Sequence, residues 1–317
     1  VVEWKAGSAV VMYNGDPAQT ASVTINGSPA GSTQVKAAEK DVAVYELPVT
    51  GLSTSANKHL VITIGANKAI LTIPQVVTGT TSVISPNSDL VIVKDGIFQV
   101  SGDLTLNNVT IYGGGTLLVP NGQTVNVNTL TMRVGAVENG DYKNLYPQLQ
   151  LKGTLNNTSG RINLDYLTTN EFYYPLSVPY AVNIADIQYP VDIYGANVKA
   201  DNEGSFQFKY YDGAERAAGR TGWIVLDETT NTTLNPNTGY AIWGIPKKIN
   251  GTRQKFGIHR LPLKQTAADM MISEKASHEA TVKVYNDSKR DSDNGWNYLG
   301  NPFLSHYGDF TTNDNVM

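Results

Sequence analysis

The chain has 317 residues, no cysteine, a formal net charge of −4 and a pI near 5.6. Thiol catalysis, cysteine-ligated zinc and disulfides are excluded, and the charge gives no footing for a nucleic-acid binder, which needs clustered Lys and Arg to neutralise phosphates. Charged residues make up only 16% of the chain, below the usual share of about 25%, and Asn, Thr, Ser and Gly carry the polarity instead, a usage that suits strands and turns.

Residues 1–79 read as short strands with turn punctuation. Ser22-Val23-Thr24-Ile25 runs into Asn26-Gly27, and Val42–Leu47 alternates before Pro48. Leu60–Ile64 and Ala69–Ile73 flank a short Gly/Asn segment, Gly65–Lys68, which is the pattern of a hairpin. Regularly spaced short strands predict a small immunoglobulin-like β-sandwich, with Trp4 packed in its core or at its edge.

Residues 80–168 contain an internal repeat. Leu104-Thr105-Leu106-Asn107-Asn108-Val109-Thr110-Ile111 aligns with Val125-Asn126-Val127-Asn128-Thr129-Leu130-Thr131-Met132, 21 residues on. Both copies are apolar at positions 1, 3, 6 and 8, and both carry Asn at position 4. Each is preceded by a further strand candidate, Ile97–Val100 and Leu117–Val119, with Gly102 and Gly122 marking the corners. A period of about 20–25 residues built from short strands predicts a β-solenoid-like segment, in which stacking buries what a single turn cannot. An ordinary β-meander is the alternative. Leu149, Leu151, Leu155, Ile162 and Leu164 supply a further turn, after an interruption at Val134–Tyr146. Gly113-Gly114-Gly115 lies between strands and reads as a turn.

Residues 169–317 are richer in aromatics. Strand candidates are Val178–Ile187, Val191–Tyr194, Phe206–Tyr211, Gly222–Leu226, Gly239–Ile245, Lys255–Leu261, Ala280–Tyr285 and Trp296–Leu299, joined by Gly, Asn and Asp turns. They predict a C-terminal β-sandwich of jelly-roll type. Gln265–Ser277 is the one helical candidate. The fold class expected is therefore all-β: a small sandwich, a solenoid-like segment and a second sandwich. No stretch approaches the ~18 apolar residues of a membrane-spanning helix. The start at Val1 and the polar end Thr311–Met317 lead to the expectation of a fragment of a longer polypeptide.

Two phrases in this last region, Leu234-Asn235-Pro236-Asn237-Thr238-Gly239-Tyr240-Ala241-Ile242 and Gly295-Trp296-Asn297-Tyr298-Leu299-Gly300-Asn301-Pro302-Phe303, resemble a module near the C-terminal part of large secreted and cell-surface proteins of Bacteroidetes. The stretch Asp89–Arg133 resembles solenoid-like segments of the same proteins. Phe303 departs from the pattern, where Tyr is commoner, and no sorting domain is visible. The resemblance implies an extracellular or outer-surface location and β architecture; it implies no reaction. Read from the residues alone, Trp296 and Tyr298 share one strand face, Gly300 permits a turn, and Pro302 ends strand pairing.

The chemistry-bearing residues form no enzymatic signature. His59, His259, His278 and His306 make no i, i+4 pair of the kind that holds zinc in HExxH, and no GxSxG elbow is present. Asp287–Gly295 loosely mimics a calcium loop but lacks the downstream Glu. Asp165, Asp186, Asp192 and Glu171 are candidates for glycan cleavage by residue type only. No catalytic residue, metal or cofactor is assigned. The aromatic inventory of Tyr173, Tyr174, Tyr210, Tyr211, Trp223, Tyr240, Trp243, Trp296 and Tyr298 supports sugar stacking, and Trp223, Tyr240, Trp243, Trp296 and Tyr298 are the candidate ligand-binding residues, with a core role the equal alternative for Trp223 and Trp243. The expected function is a non-catalytic structural or adhesive part of a long exported bacterial surface protein; the alternative is a carbohydrate-binding accessory region of an exported glycan-degrading protein. Expected partners are other copies or domains of the same surface protein, with a glycan or a host or cell-surface protein as further candidates. Neither nucleic acid nor a transmembrane segment is among them.

Overall fold

The computed structural model describes residues 2–5, 8–14, 21–30, 33–38, 42–48, 59–134, 146–168, 172–191, 205–227, 233–245, 248–249, 252–253, 257–265 and 271–273. The first eight strands are β1 (Val2–Lys5), β2 (Ser8–Asn14), β3 (Ala21–Ile25), β4 (Ser28–Ala30), β5 (Thr33–Ala38), β6 (Val42–Pro48), β7 (His59–Ile64) and β8 (Asn67–Thr72). They form two four-stranded antiparallel sheets, ordered β1-β2-β6-β5 and β4-β3-β7-β8. Asn26 and Gly27 both take positive φ, 46° and 85°, as a two-residue hairpin turn with right-handed strand twist requires. The second hairpin closes with Ile64 paired to Asn67.

The repeat folds as a parallel coil. Its strands are β9 (Gln75–Val77), β10 (Thr80–Thr81), β11 (Leu90–Ile92), β12 (Ile97–Gln99), β13 (Leu104–Tyr112), β14 (Thr116–Val119), β15 (Thr124–Arg133), β16 (Gln148–Leu151) and β17 (Thr154–Thr168). One parallel ladder runs β9-β11-β13-β15-β17 and a second runs β10-β12-β14-β16. The alignment seen in sequence is the pairing register itself: Leu104 faces Val125 and Ile111 faces Met132. Leu90, Ile92, Phe98, Leu106, Val109, Ile111, Leu117, Val125, Leu130, Leu155 and Ile162 are all fully buried between the two ladders. At Gly96, Gly115 and Gly153 the chain passes so close to the previous coil that only glycine fits, whereas Gly102 and Gly122 stand at open corners with positive φ. A Cβ on Gly115 would lie 2.7 Å from the carbonyl oxygen of Ile92, and Gly96 and Gly153 abut backbone oxygens in the same way.

Outward side chains tie one coil to the next. Asn107 Nδ2 donates to the carbonyl of Asn87 at 2.9 Å, Asn156 Nδ2 to Asn126 Oδ1 at 2.8 Å, and Asn163 Nδ2 to Thr131 Oγ1 at 3.2 Å. Each bond alone contributes about 1 kcal/mol. Their alignment along the coil fixes register, because a one-residue slip would turn every inward side chain outward.

The remaining strands are β18 (Tyr174–Leu176), β19 (Val182–Asn183), β20 (Gln188–Val191), β21 (Ser205–Tyr211), β22 (Trp223–Asp227), β23 (Thr233–Leu234), β24 (Tyr240–Ile245), β25 (Lys248–Ile249), β26 (Thr252–Arg253), β27 (Gly257–Lys264) and β28 (Met271–Ser273). Three of them extend the coil. β27 and β28 both pair antiparallel with β17, and β20 adds outside β27. The eight-stranded sheet so formed crosses residue 168 without a break. The helix expected over Gln265–Ser277 is therefore corrected: Gln265 follows a strand, and Met271–Ser273 is itself one, held by the open edge of β17, with Ile272 buried. Tertiary pairing overrides a weak helical preference here. The strand expected over Val178–Ile187 shrinks to Val182–Asn183, followed by a 3-10 turn over Ile184–Asp186 that Asn183 caps through its side chain. The α-helix among the described residues, α1 (Gly213–Ala217), is capped by Asp212, whose carboxylate accepts from the N–H of Ala214 at 2.8 Å. The candidates Ala280–Tyr285 and Trp296–Leu299 lie outside the described residues.

β18, β24, β21 and β22 form an antiparallel four-stranded sheet. Its inner face, with Leu176, Phe208, Leu226, Tyr240 and Ile242, shares one continuous apolar core with the coil. No helix among the described residues is long and apolar enough to cross a membrane.

Candidate ligand-binding face

Strand alternation turns the opposite face of this sheet outward. On β21, Phe208 points in, so Gln207, Lys209 and Tyr211 point out. On β24, Tyr240 and Ile242 are buried and Trp243 lies on the other side; on β22, Leu226 is buried while Trp223 and Val225 face out. Cross-strand register then gathers them. Gln207 pairs with Trp243, Lys209 with Val225, and Tyr211 with Trp223.

The result is an aromatic strip across a rigid sheet. Tyr173 stacks on Trp243 with ring centroids 6.4 Å apart and planes 29° from parallel. Tyr211 and Trp223 meet edge to face at 5.5 Å. Between the two pairs lies Lys209, whose ammonium stands 4.0 Å from the Tyr173 ring centroid, and Gln207, whose Oε1 accepts from the Tyr173 hydroxyl at 2.5 Å. Trp223 is 40% exposed, Val225 46% and Tyr173 39%. Large apolar side chains left this open on a paired, rigid sheet mark a contact surface more often than a folding necessity. Gly222 makes room for the edge-to-face pair, since a Cβ there would lie 2.9 Å from the Tyr211 ring.

Of the five candidate ligand-binding residues, Trp223 and Trp243 lie on this face, joined by Tyr173 and Tyr211 of the wider aromatic inventory. Tyr240 does not. It was expected among the ligand contacts, but it is 3% exposed, on the inner face, and its hydroxyl accepts from the Asn235 N–H at 2.8 Å. One residue of alternation separates it from the outward face. Trp296 and Tyr298 lie outside the described residues. Sequence reading passed over Gln207 and Lys209, although strand alternation places both polar side chains on the face opposite Phe208.

The carboxylates considered by residue type are dispersed. Asp165 is 1% exposed and held by Arg260 through Nε at 2.6 Å and Nη2 at 2.9 Å. Asp186 is exposed and paired with Lys264 at 3.0 Å. Glu171 and Asp192 lie outside the described residues. Among the histidines, His259 is buried with Nδ1 3.1 Å from Thr168 Oγ1, and His59 is exposed at the start of β7.

Fold and surface together define a class of architecture: a parallel β-coil capped by antiparallel sheets, one of which carries an open aromatic face. No family model matches the chain, and no curated protein or solved structure matches it.

Proposed function

We propose that the chain is a non-catalytic, adhesive part of a long exported bacterial surface protein, in which the coil provides reach and the outer face of the β18-β24-β21-β22 sheet provides contact. The aromatic strip of Tyr173, Trp243, Tyr211 and Trp223 carries this reading. Its rings are pre-positioned by strand pairing, so little side-chain entropy is lost when a flat ligand stacks on them, and the amide of Gln207 and the ammonium of Lys209 stand where sugar hydroxyls need partners. The likeness of the Trp-Asn and Gly-Asn-Pro phrases to Bacteroidetes surface modules supports the exported setting.

The same face favours a second reading, a carbohydrate-binding accessory region of an exported glycan-degrading protein. A pull-down on a panel of insoluble and soluble polysaccharides, with reducing-end release followed in the same tubes, tests both. Retention without release, lost in the Trp223→Ala/Trp243→Ala double variant, is the expected result. Retention that survives the double variant removes the aromatic strip from the account, and release of reducing ends removes the non-catalytic one. Retention of the double variant's melting temperature would show that the loss is one of contact.

A further inference from the structure

The outer face of the β18-β24-β21-β22 sheet gathers its rings in two places. Gln207, Lys209 and Tyr211 stand in a row on β21, with Phe208 on the opposite side. Trp243 on β24 pairs with Gln207 at one end of that row, and Trp223 on β22 pairs with Tyr211 at the other. Four residues separate the two ends, about 13 Å at strand rise. β22 and β24 flank β21 on opposite sides, so the two tryptophans lie on a diagonal across the face.

Each end is a fixed platform. At one, the Tyr173 ring stacks with Trp243, has the Lys209 ammonium over it and donates its hydroxyl to Gln207. Three contacts thus hold a side chain that is still exposed. At the other end, Trp223 meets Tyr211 edge to face and is likewise exposed. The interval between them is low. Lys209, at its centre, has Val225 and Ala241 as cross-strand neighbours, and both are small and aliphatic.

We infer that this face binds an extended, ribbon-like β-1,4-linked glycan along its length, engaging both platforms at once. The inference rests on the reading of the aromatic strip as a contact surface for sugars, and adds which sugars. One sugar ring is too small to reach from one platform to the other. Each platform alone is therefore a weak site, and the second contact strengthens binding only for a ligand long and straight enough to reach it. Both platforms lie on one face of one sheet, so the ligand must turn ring faces to the same side at both. A flat β-1,4-linked ribbon does so, whereas an α-1,4-linked chain coils and turns its ring faces away. Gln207 and Lys209 stand between the platforms, where the intervening units bring their hydroxyls. Strand pairing holds the two platforms in place before the ligand arrives, so the second contact costs little further ordering.

Isothermal titration calorimetry of the whole chain with cello-, manno- and xylo-oligosaccharides, from disaccharide to hexasaccharide, tests it, with maltohexaose as the coiled control. In at least one β-1,4-linked series, affinity is expected to rise about tenfold or more from disaccharide to hexasaccharide, and the hexasaccharide is expected to outbind maltohexaose. Trp223→Ala and Tyr173→Ala, made separately and each checked for an unchanged melting temperature, are expected to flatten that length dependence, bringing the hexasaccharide down to the level of the disaccharide. Equal affinity for disaccharide and hexasaccharide, preference for maltohexaose, or a length dependence that survives both variants overturns the inference and leaves the strip a sugar-binding face of another kind. Failure to bind any of the three series overturns it as well. Polysaccharide retention that the Trp223→Ala/Trp243→Ala variant loses then keeps the wider reading, and no retention removes both.

Discussion

The coil of residues 75–168 and the four-stranded sheet of residues 174–245 use the same strand alternation to different ends. In the coil, each inward side chain packs between rungs above and below, and many outward ones are bonded to the neighbouring coil, as Asn156 is to Asn126. In the sheet, only one face is committed to the core, and the other leaves Trp223 and Val225 in the open. Parallel ladders of this kind are stable only as a stack, so the coil's side chains are held by structure. The sheet's outer row is free of that duty and available for contact.

Substitutions can break that division. The largest effect is expected from Asp165→Ala, which strands Arg133 and Arg260 without their shared carboxylate at the junction of coil and C-terminal strands. Loss of about 3–5 kcal/mol is expected by denaturant unfolding. Leu130→Ala, at a site with no exposure, is expected to cost about 2–5 kcal/mol in the same assay. Gly115→Ala should cost about 1–3 kcal/mol, since its methyl group meets the backbone oxygen of Ile92 and the coil must open to admit it. On the sheet, Trp223→Ala should change stability by only about 1 kcal/mol, the worth of its ring contact with Tyr211, while abolishing most polysaccharide retention. A cost for Trp223→Ala equal to that of Leu130→Ala would erase the distinction between the two regions.

The smallest effect concerns pH. Arg220 hydrogen-bonds the Glu215 carboxylate beside α1, one contact being Nη2 to Oε1 at 2.7 Å, and holds its pKa below the usual carboxylate range. A group with a depressed folded pKa contributes stability above its ordinary value and loses it as pH falls through the folded one. The pair is exposed, so solvent screens it and the melting temperature should hardly move at acid pH. NMR titration should nevertheless show Glu215 rising toward the ordinary carboxylate value in Arg220→Ala.

Much of the coil was legible because its repeat is periodic at two levels. The apolar positions of 104–111 and 125–132 specify which side chains point in, and the spacing of 21 residues is the inter-coil register itself. The turn at Asn26-Gly27 and the hairpin around Gly65–Lys68 were legible for a local reason, since turn chemistry depends on the central residues, while strand pairing narrowed the second turn to Gly65-Ala66. α1 carried a readable signal in Asp212 followed by Glu215, a capping pattern, but five residues in a strand-rich context are too short to stand out. The strand at Met271–Ser273 had no such signal. Its partner, the edge of β17, is more than a hundred residues earlier in the chain.

The candidate binding residues divide in the same way. That Trp223 and Trp243 belong to strands followed from their neighbours, and alternation sets Trp223 opposite Leu226 on β22 and Trp243 opposite Ile242 on β24. Which face would be the open one did not follow, nor that Tyr173 would stack on Trp243. Tyr240 and Trp243 are three residues apart, and period-two geometry puts them on opposite faces; only the packing of the sheet against the coil determined that the Tyr240 side would be the buried one. The meeting of Arg133, Asp165 and Arg260, from the neighbouring strands β15, β17 and β27, is still further from the sequence. Local propensity and periodicity act over a few residues and settle strand, turn and alternation. The convergence of two guanidiniums on one carboxylate depends on three strands meeting in register, and that is a property of the assembled sheet alone.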